Sequence, residues 1–89
     1  MSEQTEVREP VKWFAEQMEQ QLKANDHKGG WEGCTFYYLE KRLNEEVKEL
    51  VDATKFEDVI REVTDVANFA MMIADNARRL AEKAGESSE

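Results

Sequence analysis

The stretch Leu43–Asp75, LNEEVKELVDATKFEDVIREVTDVANFAMMIAD, decides the fold. Its apolar residues recur at spacings of three and four, the helical repeat, on both sides of the break TKFED. On a wheel of about 100° per residue with Leu39 at zero, Leu43, Val47 and Leu50 fall at about 40°, 80° and 20°. Glu46 lies inside that apolar sector at about −20°, Glu49 at its edge near −80°, and Glu45 turns outward near −120°. A second wheel with Val59 at zero gathers Val66, Ala70, Ile73 and Ala77 within about 40°. These positions are the expected core stripe of that helix. Along one flank follow Glu62 near −60°, Phe69 near −80°, Asn76 near −100° and Asp65 near −120°.

Two helices joined by a short turn pack antiparallel, so the two acidic flanks are expected to face each other. Carboxylates beside an apolar stripe cost free energy unless something pairs with them. An isolated ExxE or ExxD on a helix is usually solvated charge. Two such pairs on consecutive antiparallel helices, with Arg42 the one base on either flank, form a different arrangement. A hard divalent cation relieves four carboxylates at once, and an all-oxygen donor set selects Mg²⁺, with Mn²⁺ as a substitute. The candidate metal ligands are Glu46, Glu49, Glu62 and Asp65.

Working outward, a first helix is expected from Glu9–Pro10, where proline suits the first turn, to about Ala24. Val11, Phe14, Met18 and Leu22 share one of its faces. Asn25–Cys34 holds three of the four glycines and reads as a loop. Thr35 caps the second helix, whose core face runs Phe36, Leu39, Leu43, Val47, Leu50 and which ends near Ala53 or Thr54. The third helix is expected from about Glu57 to Lys83, with Gly85 as its stop and residues 1–8 and 84–89 frayed. Its segment VANFAMMIA is apolar almost all round, which calls for cover on every side. In a chain with two other long helices, that cover is expected from another subunit. The expected fold is therefore an all-α antiparallel bundle of three main helices completed by oligomerisation.

At 89 residues the chain holds one small domain, 1–89. Twenty acidic against twelve basic residues, a net charge of −8, argue against DNA, RNA or an anionic membrane as partner. The lone Cys34 has no second cysteine for a disulfide or a zinc motif. No apolar run approaches the roughly 20 residues a membrane span requires. The polar, acidic start MSEQTEVREP has no secretory character, and a cytoplasmic location is expected.

The spacing of EEVKE, Glu45–Glu49, and EVTD, Glu62–Asp65, resembles the EExxE…ExxD signature of the MazG-like all-α nucleoside triphosphate pyrophosphohydrolases. The resemblance extends from about Trp13 to Leu80 and includes LKANDHKGGW and DVANFAMMIADN. It implies a helical dimer or tetramer that cleaves a (deoxy)nucleoside triphosphate to monophosphate and pyrophosphate with Mg²⁺. Carried over residue by residue, it places metal ligands at Glu46, Glu49, Glu62 and Asp65. The resemblance also implies Glu45, Glu46 and Glu49 as the catalytic acids, with the outward Glu45 expected to orient water or support the ligands from outside the set. The chemistry agrees with the residues: cleaving a phosphoanhydride requires phosphate charge to be neutralised and a water placed in line.

In the loop, Lys28 is a candidate for a phosphate, and Trp31 either stacks on a base or plugs the bundle top. Phe69 and Asn76 are further candidate substrate contacts, Phe69 as a base-facing wall or dimer core and Asn76 as an amide that bonds a phosphate or base edge or is simply solvated, while His27 reads as an ordinary loop residue. The alternative to an enzyme is a non-catalytic acidic helical oligomer, serving as a protein-interaction or divalent-metal-binding module.

Overall fold

The computed structural model describes residues 6–87, with side chains to residue 85. The outermost positions expected to fray, 1–5 and 88–89, lie outside the described residues. Three α-helices make up the fold, and no strand occurs among the described residues. The first, α1, is Glu9–Ala24; α2 is Phe36–Asp52; α3 is Phe56–Ser87. A single 3₁₀ turn, Asp26–Lys28, sits in the loop after α1. No helix is long and apolar enough to cross a membrane among the described residues.

Local chemistry sets most of the helix limits. Pro10 enters the first turn of α1, where its missing N–H has no helical partner to lose. At the other end the Asn25 amide donates to the Gln21 carbonyl at 3.0 Å. The Thr35 hydroxyl accepts from the Tyr38 N–H at 3.0 Å, satisfying one of the free donors that open α2. Helix α2 stops where Ala53 turns extended, and the connection Ala53–Lys55 folds α3 back antiparallel along it. Glu57 and Asp58 in the first turn of α3 suit its positive dipole end. Gly85 does not stop α3, which continues to Ser87 rather than ending at Lys83. With no proline after it, one glycine costs only about 1 kcal/mol in a helix, too little to end a run of good helix formers.

Helix α3 is the spine. Both α1 and α2 pack on it, and no Cα of α1 comes within 8 Å of one in α2. The side that α3 turns inward corrects the expected core stripe. Its buried residues are Thr64, Asn68, Asp75 and Asn76, with Asp65, Phe69 and Met72 half-buried beside them. That face lies opposite Val59 on the wheel. Val59, Ile60, Ala70, Ala74 and Ala77 are exposed, and Val63, Val66, Ala67 and Ile73 are half-buried. The apolar stripe therefore faces away from α1 and α2. Three other positions assigned to core faces are also exposed: Val11, Phe36 and Val47.

The only fully buried apolar side chain among the described residues is Leu39, against five buried polar ones. Periodicity marks an apolar face but carries no label for what covers it. Here the three-helix unit closes over the polar side of α3 and leaves the apolar side outermost.

Candidate metal centre

Glu46 and Glu49 stand one turn apart on α2, and Glu62 opposes them from α3. Carboxylate oxygens from all three lie within 4.8 Å of one another. Glu46 is buried, Glu62 half-buried and Glu49 exposed, so the cluster opens to solvent on the Glu49 side. Glu62 Oε1 is buried with no hydrogen-bond partner among the described residues, and its Oε2 has one long contact, 3.4 Å, to Arg61. Burial, followed by the charges of Glu49 and Asp65, holds the Glu62 carboxyl above the usual carboxylate range. A buried, unpartnered carboxylate oxygen facing two more carboxylates fits a hard cation, which supplies the missing charge and accepts oxygen ligands. The donor set thus suits Mg²⁺ or Mn²⁺.

Asp65, the fourth expected ligand, lies one turn beyond Glu62 and outside this trio. Its Oδ1 accepts from Gln21 Nε2 of α1 at 2.9 Å. Glu45 also stays apart, half-exposed and paired with Arg42 at 2.6 Å, in keeping with its outward angle on the wheel. The same guanidinium reaches Glu46 Oε2 at 3.0 Å and lies 4.9 Å from the centre of the Phe69 ring.

Beside the trio, α1 and α2 stand apart over the polar face of α3 and leave a cleft of about 480 Å³. That volume suits a nucleotide-sized ligand. Glu46 belongs to both the carboxylate trio and the cleft wall, and Asp65 lines the cleft as well. Lys28, Trp31 and Phe69 line it too, so three of the four candidate substrate contacts share one space with two of the acids. Asn76 does not. Its amide donates to the carbonyls of Trp31 at 3.0 Å and Cys34 at 3.4 Å, holding the loop from behind.

The loop is anchored as well as glycine-rich. Trp31 is half-buried, and its indole N–H donates to Asp75 Oδ2 at 3.0 Å. Asp75 is buried on α3 and also accepts from Arg78 at 2.9 Å and Arg79 at 3.0 Å. The Trp31 indole, followed by the two guanidinium groups, outweighs burial and brings the Asp75 carboxyl down to about 2. Gly29, with φ 90°, takes the backbone through a region that side chains disfavour.

Sequence reasoning missed Gln21, Asn68 and Asp75. Asn68, 4% exposed, donates to the Met18 carbonyl at 3.2 Å and so ties α1 to α3. A signal was present: Thr64, Asp65, Asn68, Asp75 and Asn76 recur at helical spacing, a polar stripe as regular as the apolar one. No family model, no curated protein and no solved structure matches the chain.

Proposed function

We propose that this chain is a Mg²⁺-dependent nucleoside triphosphate pyrophosphohydrolase of the MazG-like kind, acting in the cytoplasm. What carries the proposal is the convergence of Glu46, Glu49 and Glu62 within 4.8 Å at the edge of a cleft walled by Trp31 and Phe69. A scaffold gains nothing by crowding three carboxylates, one with a buried unpartnered oxygen.

In the proposed reaction, a water oxygen bonds to the α-phosphorus and the bond to the α,β-bridging oxygen breaks, giving a monophosphate and pyrophosphate. A bound divalent cation neutralises phosphate charge and acidifies water. Glu46, Glu49 and Glu62 would hold it, and Asp65, oriented by Gln21, would add a fourth carboxylate from the cleft side. Glu49, the exposed member, accepts the water's proton. Trp31 and Phe69 offer flat apolar surface to the base. Lys28 is placed for the phosphates. Glu45 serves the site through Arg42, which it anchors.

The outward apolar face of α3 supports assembly with a second copy. Val59, Ile60, Ala70, Ala74 and Ala77 form an exposed stripe too long and too apolar for a small monomer. A single fully buried apolar side chain among the described residues is little core for a three-helix unit. The same face is the observation that favours a non-catalytic interaction module as the second reading.

A panel of ribo- and deoxynucleoside triphosphates, assayed for pyrophosphate release with and without Mg²⁺, tests the proposal. Release that requires Mg²⁺ and is lost in Glu49→Gln supports it. No turnover of any member refutes the enzyme and leaves the interaction module.

A further inference from the structure

We propose that Arg42 is the guanidinium that binds the substrate's phosphates, and that it competes with the divalent cation for Glu46. This inference rests on the pyrophosphohydrolase reading above, and it assigns the recognition of the triphosphate chain within that site.

Among the described residues, Arg42 and Lys28 are the cationic ones that line the cleft. Arg78 and Arg79 are held by Asp75 behind the loop, and Arg61 pairs with Asp58 and Glu62. Arg42 is fixed from three directions: Glu45 at 2.6 Å, Glu46 at 3.0 Å and the Phe69 ring at 4.9 Å. The contact with an aromatic ring from a different helix limits where the guanidinium can sit. It has five N–H donors, of which the two carboxylates engage two, and the rest are available to phosphate oxygens in a planar fork.

An exposed i, i+4 ion pair on a helix would be unremarkable and nearly neutral in energy. This one differs because Glu46 is 6% exposed and belongs to the carboxylate trio. A carboxylate committed to a dication is a poorer acceptor for a guanidinium, and the two cations repel. Arg42 therefore opposes the metal ion when it binds alone. A triphosphate chain reverses that balance, because its charge satisfies both cations together. Metal and triphosphate are then coupled, each raising the other's affinity by the same factor.

The test uses the full chain and Arg42→Gln, with Mn²⁺ binding followed by the magnetic resonance signal of the free ion. Mn²⁺ alone is expected to bind the variant about three- to tenfold more tightly, the scale of one partly buried ion pair. Inorganic tripolyphosphate, titrated with Mn²⁺ in excess, is expected to bind it about ten- to a hundredfold more weakly, the scale of hydrogen bonds to charged groups. The opposite signs are the signature. A residue with a purely structural role would leave tripolyphosphate affinity unchanged or weaken both. Arg42→Lys keeps the charge and loses the planar fork. It is expected to match wild type for Mn²⁺ and to bind tripolyphosphate more weakly, which decides the matter if the Gln variant does not fold. Wild type that binds Mn²⁺ alongside an Arg42→Gln variant with unchanged tripolyphosphate affinity overturns the role of Arg42 alone. Wild type that takes up no Mn²⁺ overturns this inference together with the metal site.

Discussion

Replacing Glu62 by Gln removes one negative charge from the carboxylate trio while keeping its shape. Two full charges at 4.8 Å repel by about 0.9 kcal/mol in bulk water and about 3.5 kcal/mol at an effective dielectric constant of 20. Arg42 offsets the charge of Glu46, and the cluster opens to solvent on the Glu49 side, so water screens part of the repulsion. A net gain of about 1–2 kcal/mol is therefore expected for Glu62→Gln in EDTA at neutral pH. For a chain of this length that corresponds to a rise in Tm of about 4–16 °C. Because the folded pKa of Glu62 lies above its unfolded value, wild type gains stability as pH falls from neutral through that folded pKa towards about 4.3. The variant lacks this slope. Saturating Mg²⁺ reverses the order: at a hundred times its Kd the ion adds about 2.7 kcal/mol to wild type and little to the variant. Thermal melts by circular dichroism, with and without Mg²⁺ at pH 5 and 7, measure all of this. A variant that melts below wild type in EDTA, or gains as much from Mg²⁺, would refute the charge crowding on which the metal centre rests.

Activity is expected to separate the acids: Glu49→Gln and Asp65→Asn lower kcat by orders of magnitude, whereas Glu45→Gln, on a half-exposed side chain, costs much less. Full turnover in Asp65→Asn would remove that residue from the ligand set. Trp31→Phe keeps an aromatic face but deletes the indole bond to Asp75. It is expected to raise KM several-fold with kcat little changed, and an unchanged KM would show that this anchor does not shape the cleft. Asp75 ionises at about 2 in the folded chain. Its contribution to stability is thus complete above its unfolded pKa, near 4, and lost as pH falls through about 2. Trp31 fluorescence in a Trp13→Phe background is expected to report loop release in that window, and Asp75→Asn to abolish the pH dependence there. On the outward face of α3, Ala70→Arg is expected to convert an oligomer to a folded monomer in sedimentation at micromolar concentration. A wild type that already sediments as a stable monomer would end the second-copy proposal.

The sequence by itself determined the helices and the meeting of three acids. Pro10, Thr35 and the break at Ala53–Lys55 act through their own backbone and nearest neighbours, so the limits of α1, α2 and the start of α3 were legible within two residues. A three-residue connection makes the two helices antiparallel neighbours, and i, i+3 spacing puts Glu46 and Glu49 on the flank of α2 that meets Glu62. Tertiary structure decided which side of α3 lies inside. A hydrophobic period records that a face avoids water, and a neighbouring helix or a neighbouring chain satisfies it equally. The polar stripe was free to turn inward because four of its members find partners far away in sequence: Asn68 the Met18 carbonyl, Asp65 Gln21, Asp75 the Trp31 indole, Asn76 the loop carbonyls. Such pairings depend on the relative placement of α1, the loop and α3. No residue's own propensity encodes that placement, so the polar stripe, the cleft above it and the position of Arg42 against Phe69 exist only once the three helices are packed.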